Sequence, residues 1–303
     1  MVFFLTQLLL STPLVAAYAL FALGIVLIYR ASKVLNLAHG VMAMLPAYVV
    51  HELRTGGVPL VPALALGVLV GALLGAVVEF VFVRRLRGVS ATAQTVGTIA
   101  VYGLVVALVA KFLGTSPVRP DSIFGEGVIL IGSSGISYDQ IGLIVVSVIL
   151  TIALFSLFKF TSLGLAMRGS ASNRRAAALM GVNPDRTTQL AWMMGGALAA
   201  IAGILLSAVL SLEPYGFPLQ ALPAFVAALI GGLGSMPGAL GGAAVVGLAM
   251  GAVPGLTVLP FVDSFVGSIG APQAVLACIA FVVMSARGEK LKASDVRSEG
   301  LTA

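Results

Sequence analysis

Charge is what this sequence has least of. Only 9% of its 303 residues are Asp, Glu, Lys or Arg, and 59% are hydrophobic. A soluble domain carries about 25% charged residues, and apolar runs of about 20 residues read as membrane helices. A transmembrane β-barrel is excluded too, because its strands alternate apolar and polar residues and these runs are apolar all round. The chain is therefore read as an all-α polytopic membrane protein.

Other absences narrow the function. No Gly-x-x-x-x-Gly-Lys-Ser/Thr phosphate loop occurs, so the chain does not hold ATP by that device and no resident cofactor is expected. His39 and His51 stand at no metal-ligand spacing with acids or cysteine, so no metal is expected either. No Ser, His and Asp arrangement stands out, and the spans hold almost no ionisable groups, which argues against catalysis. Carriers driven by protons or sodium commonly bind the ion on an intramembrane carboxylate, and only Glu79 lies near a span, at its edge. It is read as pairing with the arginines that follow it. The single cysteine, Cys278, has no internal disulfide partner. The net charge of +6 comes mostly from basic residues in short loops, which set orientation and do not imply nucleic acid. No basic region precedes the first apolar segment, which is read as a mature span and not a signal peptide.

The apolar runs give spans at about 8–28, 34–50, 60–83, 92–112, 141–158, 188–211, 221–234, 238–253 and 264–285, eight or nine in all. The second contains Asn36, Ala38, His39, Gly40 and Pro46. If it is helical throughout, Asn36 and His39 share a face. They either hydrogen-bond within the bundle near the cytoplasmic boundary or line a pathway. The third carries Gly67, Gly71 and Gly75, a stripe that lets another helix approach closely. From Pro214 to Val262 no residue is charged, and GGLGSMPG at 231–238 punctuates the stretch. Either 221–253 crosses twice, its first segment shorter than a full crossing, or it re-enters. With 84–87, 159–186 and the basic tail inside, parity favours two crossings. One domain over 1–286 and a polar cytoplasmic tail over 287–303 follow.

The only long polar interruption runs from Lys159 to Leu190. It carries Lys159, Arg168, Arg174, Arg175 and Arg186 against one acid, Asp185. Within it, Asn173 caps a short alanine-rich helix that Gly181 and Pro184 end. Such a loop either fixes topology by its charge or docks a cytoplasmic partner.

Three stretches together resemble the LivH-type permeases of branched-chain amino acid ABC importers: 12–49 with Asn-Leu-Ala-His-Gly, 160–205 with the basic loop, and 221–251 with Gly-Gly-Leu-Gly-Ser-Met-Pro-Gly. The likeness covers almost the whole chain. It implies an ABC importer permease fold in a bacterial cytoplasmic membrane. It also implies two ATPase subunits carrying ATP and Mg, a second related permease chain and an extracytoplasmic solute-binding protein, all within membrane lipid. The cytoplasmic loop, 159–187, would be the coupling loop, with Arg168, Asn173, Arg174, Ala176, Ala177 and Gly181 engaging the ATPase. Alternating access would reorient the spans around a path near Asn36, Ala38, His39 and Gly40. Arg30 stands where the family usually has glycine, and Pro46-Ala47-Tyr48 where Gly-Ala-Tyr is usual. These departures leave other amino acids, urea or short amides open as substrates. A stand-alone channel or facilitator for a small neutral solute is the rival reading. A structural scaffold would leave the glycine-lined, polar-punctuated spans unexplained.

Overall fold

The computed structural model describes residues 7, 9–86, 90–131, 134–253, 274–283 and 285. The tail at 287–303, Arg87, the first residues of the chain and the first part of the last expected span lie outside the described residues.

Helix α1, Thr12–Ser32, is 21 residues long and nearly all its side chains are buried. At 1.5 Å per residue it spans about 31 Å, one hydrocarbon thickness. Helix α8, Pro184–Ser207, is similarly enclosed, whereas α3 (Leu60–Val77), α4 (Ala91–Leu113) and α5 (Tyr138–Phe160) bury only about a third of their surface. The bundle is thus two central helices, α1 and α8, inside a ring whose outer faces carry exposed apolar residues such as Leu69, Leu73, Leu108 and Ile152. Five helices among the described residues are long and apolar enough to cross a membrane. Helix α2, His39–Thr55, and helix α10, Met236–Ala252, have 17 residues each. Helix α11, Ala274–Val283, is the described part of the last expected span.

Small residues bring these helices together. Gly71 on α3 lies against Ala200 and the Gly196 carbonyl of α8, Gly75 against the Trp192 carbonyl, and Gly67 against Val50 of α2 and Ile204 of α8. Gly24 of α1 meets the Gly195 carbonyl, where an added Cβ would sit 3.1 Å away. Helices in lipid gain no hydrophobic energy by associating, so close backbone packing supplies the attraction. Trp192, buried from α8, fills the space beside these crossings. Beyond Val77 the α3 rod continues as a π-helical turn, Val78–Val83. There the buried Glu79 carboxylate accepts a 2.9 Å bond from Arg84, as expected of a carboxylate near a span end.

Three elements depart from expectation. The outward segment 114–137 contains a hairpin of β1 (Val128–Ile131) and β2 (Ser134–Ser137), with Ile129 paired to Ile136. The Asp139 carboxylate fixes its approach by accepting the N–H groups of Ile123 and Phe124 at 2.9 and 3.0 Å. The polar loop after α5 opens with a full helix, α6 (Ser162–Ser172), which is amphipathic and lies on the bundle through Met167. Residues 51–55, which follow the second apolar run of 34–50, continue α2.

The stretch 221–253 forms a helical hairpin. Helix α9, Leu222–Gly231, has ten residues and spans about 15 Å, half a crossing. Gly231 packs on Gly238 and Ala227 on Gly242, an antiparallel register closed by the turn at 232–235. That turn reaches the end of the bundle where Arg30, Lys159 and Arg168 lie, since Met236 and Pro237 share a cavity with them.

Because Gly71 has no room for a side chain against α8, Gly71→Leu should force α3 and α8 apart. Overpacking of this kind costs about 1–3 kcal/mol. A lowered thermal midpoint of the detergent-solubilised protein checks this, and an unchanged midpoint would show that the two helices do not pack here.

Candidate functional site

Backbone in hydrocarbon must find its hydrogen bonds internally, so a non-helical stretch at depth marks a buried joint or a cavity wall. Among the described residues two such stretches occur, and they meet.

The first follows α1. Lys33 takes a left-handed conformation (φ 59°) and ends the helix, and residues 34–36 have no regular structure. Helix α2 begins only at His39. Asn36 and His39 therefore do not share a helical face, contrary to the spacing argument. Asn36, Ala38 and His39 are all fully buried. The Asn36 side chain accepts the Ala38 N–H at 3.2 Å and donates to the Met42 sulfur at 3.3 Å. The Leu37 N–H goes to the Thr98 hydroxyl of α4 at 3.0 Å, and Thr98 donates onward to the Thr95 carbonyl at 2.7 Å. The His39 ring meets Phe21 edge to face, centroids 6.0 Å apart, and covers Gly24. A backbone group of Phe21 lies near its ring, but neither nitrogen has a partner in good hydrogen-bonding geometry.

Depth follows from the register of α1 on α8. The Thr188 hydroxyl, which donates to the Pro184 carbonyl at 2.8 Å, lies 3.4 Å from the Ala31 carbonyl, and Gly195 meets Gly24 seven residues further along. His39 thus lies about 10 Å further along the bundle than Ala31, beside the middle of α1.

The second interruption precedes α9. Leu212 lies toward the opposite end, where it pairs as a β-bridge with Val118 and its carbonyl accepts the Tyr48 hydroxyl at 3.4 Å. From there the chain descends through a 3-10 turn, Phe217–Ala221, before α9 begins. Tyr48 is more than two turns along α2 from Gly40, and Gly40 is where the descending chain arrives. A Cβ on Gly40 would fall on the Pro218 carbonyl. A cavity of about 260 Å³ opens beside this contact, walled by Leu37, Gly40, Tyr102, Pro218, Leu222 and Phe225 among others.

The basic loop at 159–187 is equally well defined. Asn173 caps helix α7, Arg174–Leu179, by accepting the Ala176 N–H at 2.9 Å. Gly181 (φ +82°) closes it, with its own N–H on the Ala178 carbonyl and the Val182 N–H on the Ala177 carbonyl. Ala177 is buried against the loop, whereas Asn173, Arg174 and Ala176 face outward. Arg168 lies on α6 at the edge of the bundle. Arg174 pairs with Asp185 and reaches the Thr188 hydroxyl, tying α7 to the start of α8. Leu179 and Met180 project at 89% and 84% exposure. Among the described residues no three His, Cys, Asp or Glu side chains gather as a metal site.

A family model described as the permease component of a branched-chain amino acid transport system matches residues 8–284. The chain belongs to this family. It is 30% identical over 265 residues to the high-affinity branched-chain amino acid transport system permease protein LivH of Salmonella typhimurium, covering 82% of this chain and 85% of the relative. LivH of Escherichia coli K12 is 28% identical with the same coverage. BraD of Pseudomonas aeruginosa is 29% identical, covering 81% and 85%. No solved structure matches. The permease is a multi-pass membrane transport component and not an enzyme.

Gly40 is the one sequence-selected pathway residue of this permease that walls the cavity. Asn36, Ala38 and His39 stand behind it. Thr98, Tyr102 and Pro218 went unselected, because nothing local to them marks a contact between segments so distant in sequence. A signal did exist for Leu179 and Met180: two adjacent large apolar residues just before the glycine that ends the short alanine-rich helix.

Thr98→Val keeps the shape but leaves the Leu37 N–H without its acceptor, which should cost about 1–3 kcal/mol. Thermal unfolding of the purified variant measures this, and an unaltered midpoint would mean that the Leu37 bond carries no weight.

Proposed function

We propose that this chain is a translocating subunit of an ATP-driven ABC importer for branched-chain or similar aliphatic amino acids. It works in a bacterial cytoplasmic membrane, with one permease domain over 1–286 and a cytoplasmic tail over 287–303. The observation that carries the reading is the meeting of two interrupted crossings at Gly40 and Pro218, beside a mostly apolar cavity. Discontinuous helices near the midplane are the usual way a transporter places irregular backbone around a passing solute. The cavity walls suit an aliphatic side chain better than urea or a short amide. The N-terminal end of α2, which begins at this depth, suits a carboxylate.

In this mechanism ATP binds to separate ATPase subunits, and this chain holds no cofactor of its own. Helix α7 and the loop 159–187 receive the ATPase motion, with Leu179 and Met180 as the apolar contact and Asn173, Arg174, Arg168, Ala176, Ala177 and Gly181 shaping or flanking it. A second, related permease chain and a solute-binding protein complete the importer. Alternating access follows when the loop moves the inner ends of α5 and α8 relative to the interrupted crossings.

Proteoliposomes test this directly. Labelled leucine should enter only with ATP, the ATPase subunits and the binding protein, and Gly40→Ala should abolish uptake while leaving insertion intact. Downhill leucine flux through this chain alone would replace the importer by a facilitator. Separately, Leu179→Asp with Met180→Asp should strip the ATPase subunit during affinity purification. Full retention of that subunit would remove α7 from the interface.

A further inference from the structure

A second cavity, of about 240 Å³, lies at the cytoplasmic end of the bundle where four elements converge. Arg30 enters from the last turn of α1, Lys159 from the last turn of α5 and Arg168 from α6. Phe155, Phe158 and Pro237 supply apolar wall, the last from the first turn of α10. Among the described residues no carboxylate lines it, and none of the three cations forms an ion pair. Arg30 stands 5.7 Å over the Phe158 ring, half-buried, and Arg168 is close enough to repel it. Three like charges from three separate helices around one apolar-walled cavity repel one another, and an entering anion relieves that repulsion.

We propose that this cavity binds the phosphate headgroup of an anionic phospholipid from the cytoplasmic leaflet. Three features select a lipid over a soluble phosphate. Arg30 and Lys159 stand at the ends of membrane-length helices, the level at which lipid phosphates lie. The walls are aromatic and aliphatic. The outer face of α5, with Val148, Ile149 and Ile152 exposed, gives an acyl chain a continuous apolar track leading to Lys159. Basic pockets between membrane helices on the cytoplasmic side hold anionic headgroups in this way. The bound phosphate bridges α1, α5 and α6 and lies against α10, so it fixes the entry to the cytoplasmic loop relative to the α9–α10 hairpin. This assignment is independent of the transported substrate.

Native mass spectrometry of the full chain, titrated with phosphatidylglycerol or phosphatidylcholine, tests it. Phosphatidylglycerol should bind about tenfold more tightly or better, and Arg30→Gln with Lys159→Gln and Arg168→Gln should remove that preference. A matched variant, Arg85→Gln with Arg175→Gln and Arg186→Gln, removes as much charge from the same side and should keep it. If the first triple variant fails to fold, the exposed Lys159→Gln alone should still weaken phosphatidylglycerol binding. Equal binding of the two lipids, or equal loss in both triple variants, would overturn the site. Inorganic phosphate at millimolar concentration displacing the lipid from the wild-type chain would assign the cavity to a soluble phosphate and overturn the lipid source.

Discussion

A peptide group in hydrocarbon has no water to bond with, and each one left unpaired costs several kcal/mol. That constraint decides where this fold permits irregular backbone. The break at 34–38 survives because Asn36 turns its own side chain back on the Ala38 N–H and α4 offers Thr98 to the Leu37 N–H. The descending strand before α9 survives because Leu212 pairs with Val118 at its outer end and Pro218 has no N–H to satisfy. Neither break would hold on a helix facing lipid. Both lie among α1, α2 and α4, and the central position of α1 is what makes their depth tolerable.

Close packing is the second half of the same arrangement. Helix α8 touches α3 through Gly71, Gly75 and Gly196, α1 through Gly195, and α2 through Gly203, which abuts Ala43. Lipid chains are as apolar as the helix surfaces, so contact distance takes over the role that hydrophobicity plays in water. A helix lined with glycine on several sides can serve as a common axis for three neighbours at once. The same small residues leave little to resist sliding along the axis, which suits a protein whose crossings must shift against one another.

Much of this was legible in the sequence because the dominant signals are local. Apolar run length located the five long helices, Asn173 and Gly181 bounded α7, and the Gly67-Gly71-Gly75 spacing marked a closely approached face. What escaped was set at a distance. Nothing in 34–38 says that its Leu37 N–H will find Thr98, 61 residues away. Helical periodicity at Asn36 and His39 suggested one face, yet the left-handed Lys33 and the Asn36 side-chain turn unwind the segment. The half-length of α9 was partly visible in its prolines and glycines. Its meeting with Gly40 depends on tertiary packing, and composition is silent on that. The β1–β2 hairpin was masked by glycine and serine, which read equally well as plain loop.

The cytoplasmic end shows how loop and breaks are mechanically joined. Arg174 of α7 pairs with Asp185 and touches Thr188, whose hydroxyl donates to the Pro184 carbonyl and lies 3.4 Å from the Ala31 carbonyl at the foot of α1. Arg84, held by the buried Glu79, reaches Gln189 on the next position of α8. Both contacts fall in the second turn of α8, beside the rigidly closed α7. Ala31 is only five residues from Asn36 along the chain. A displacement of the foot of α8 therefore pulls on the α3 rod through Arg84 and on the 34–38 break through the foot of α1. With Gly40 seated on the Pro218 carbonyl, that pull acts on the contact between the two interrupted crossings. Opening it requires a discrete separation, because backbone packed on backbone has no side chain to bend.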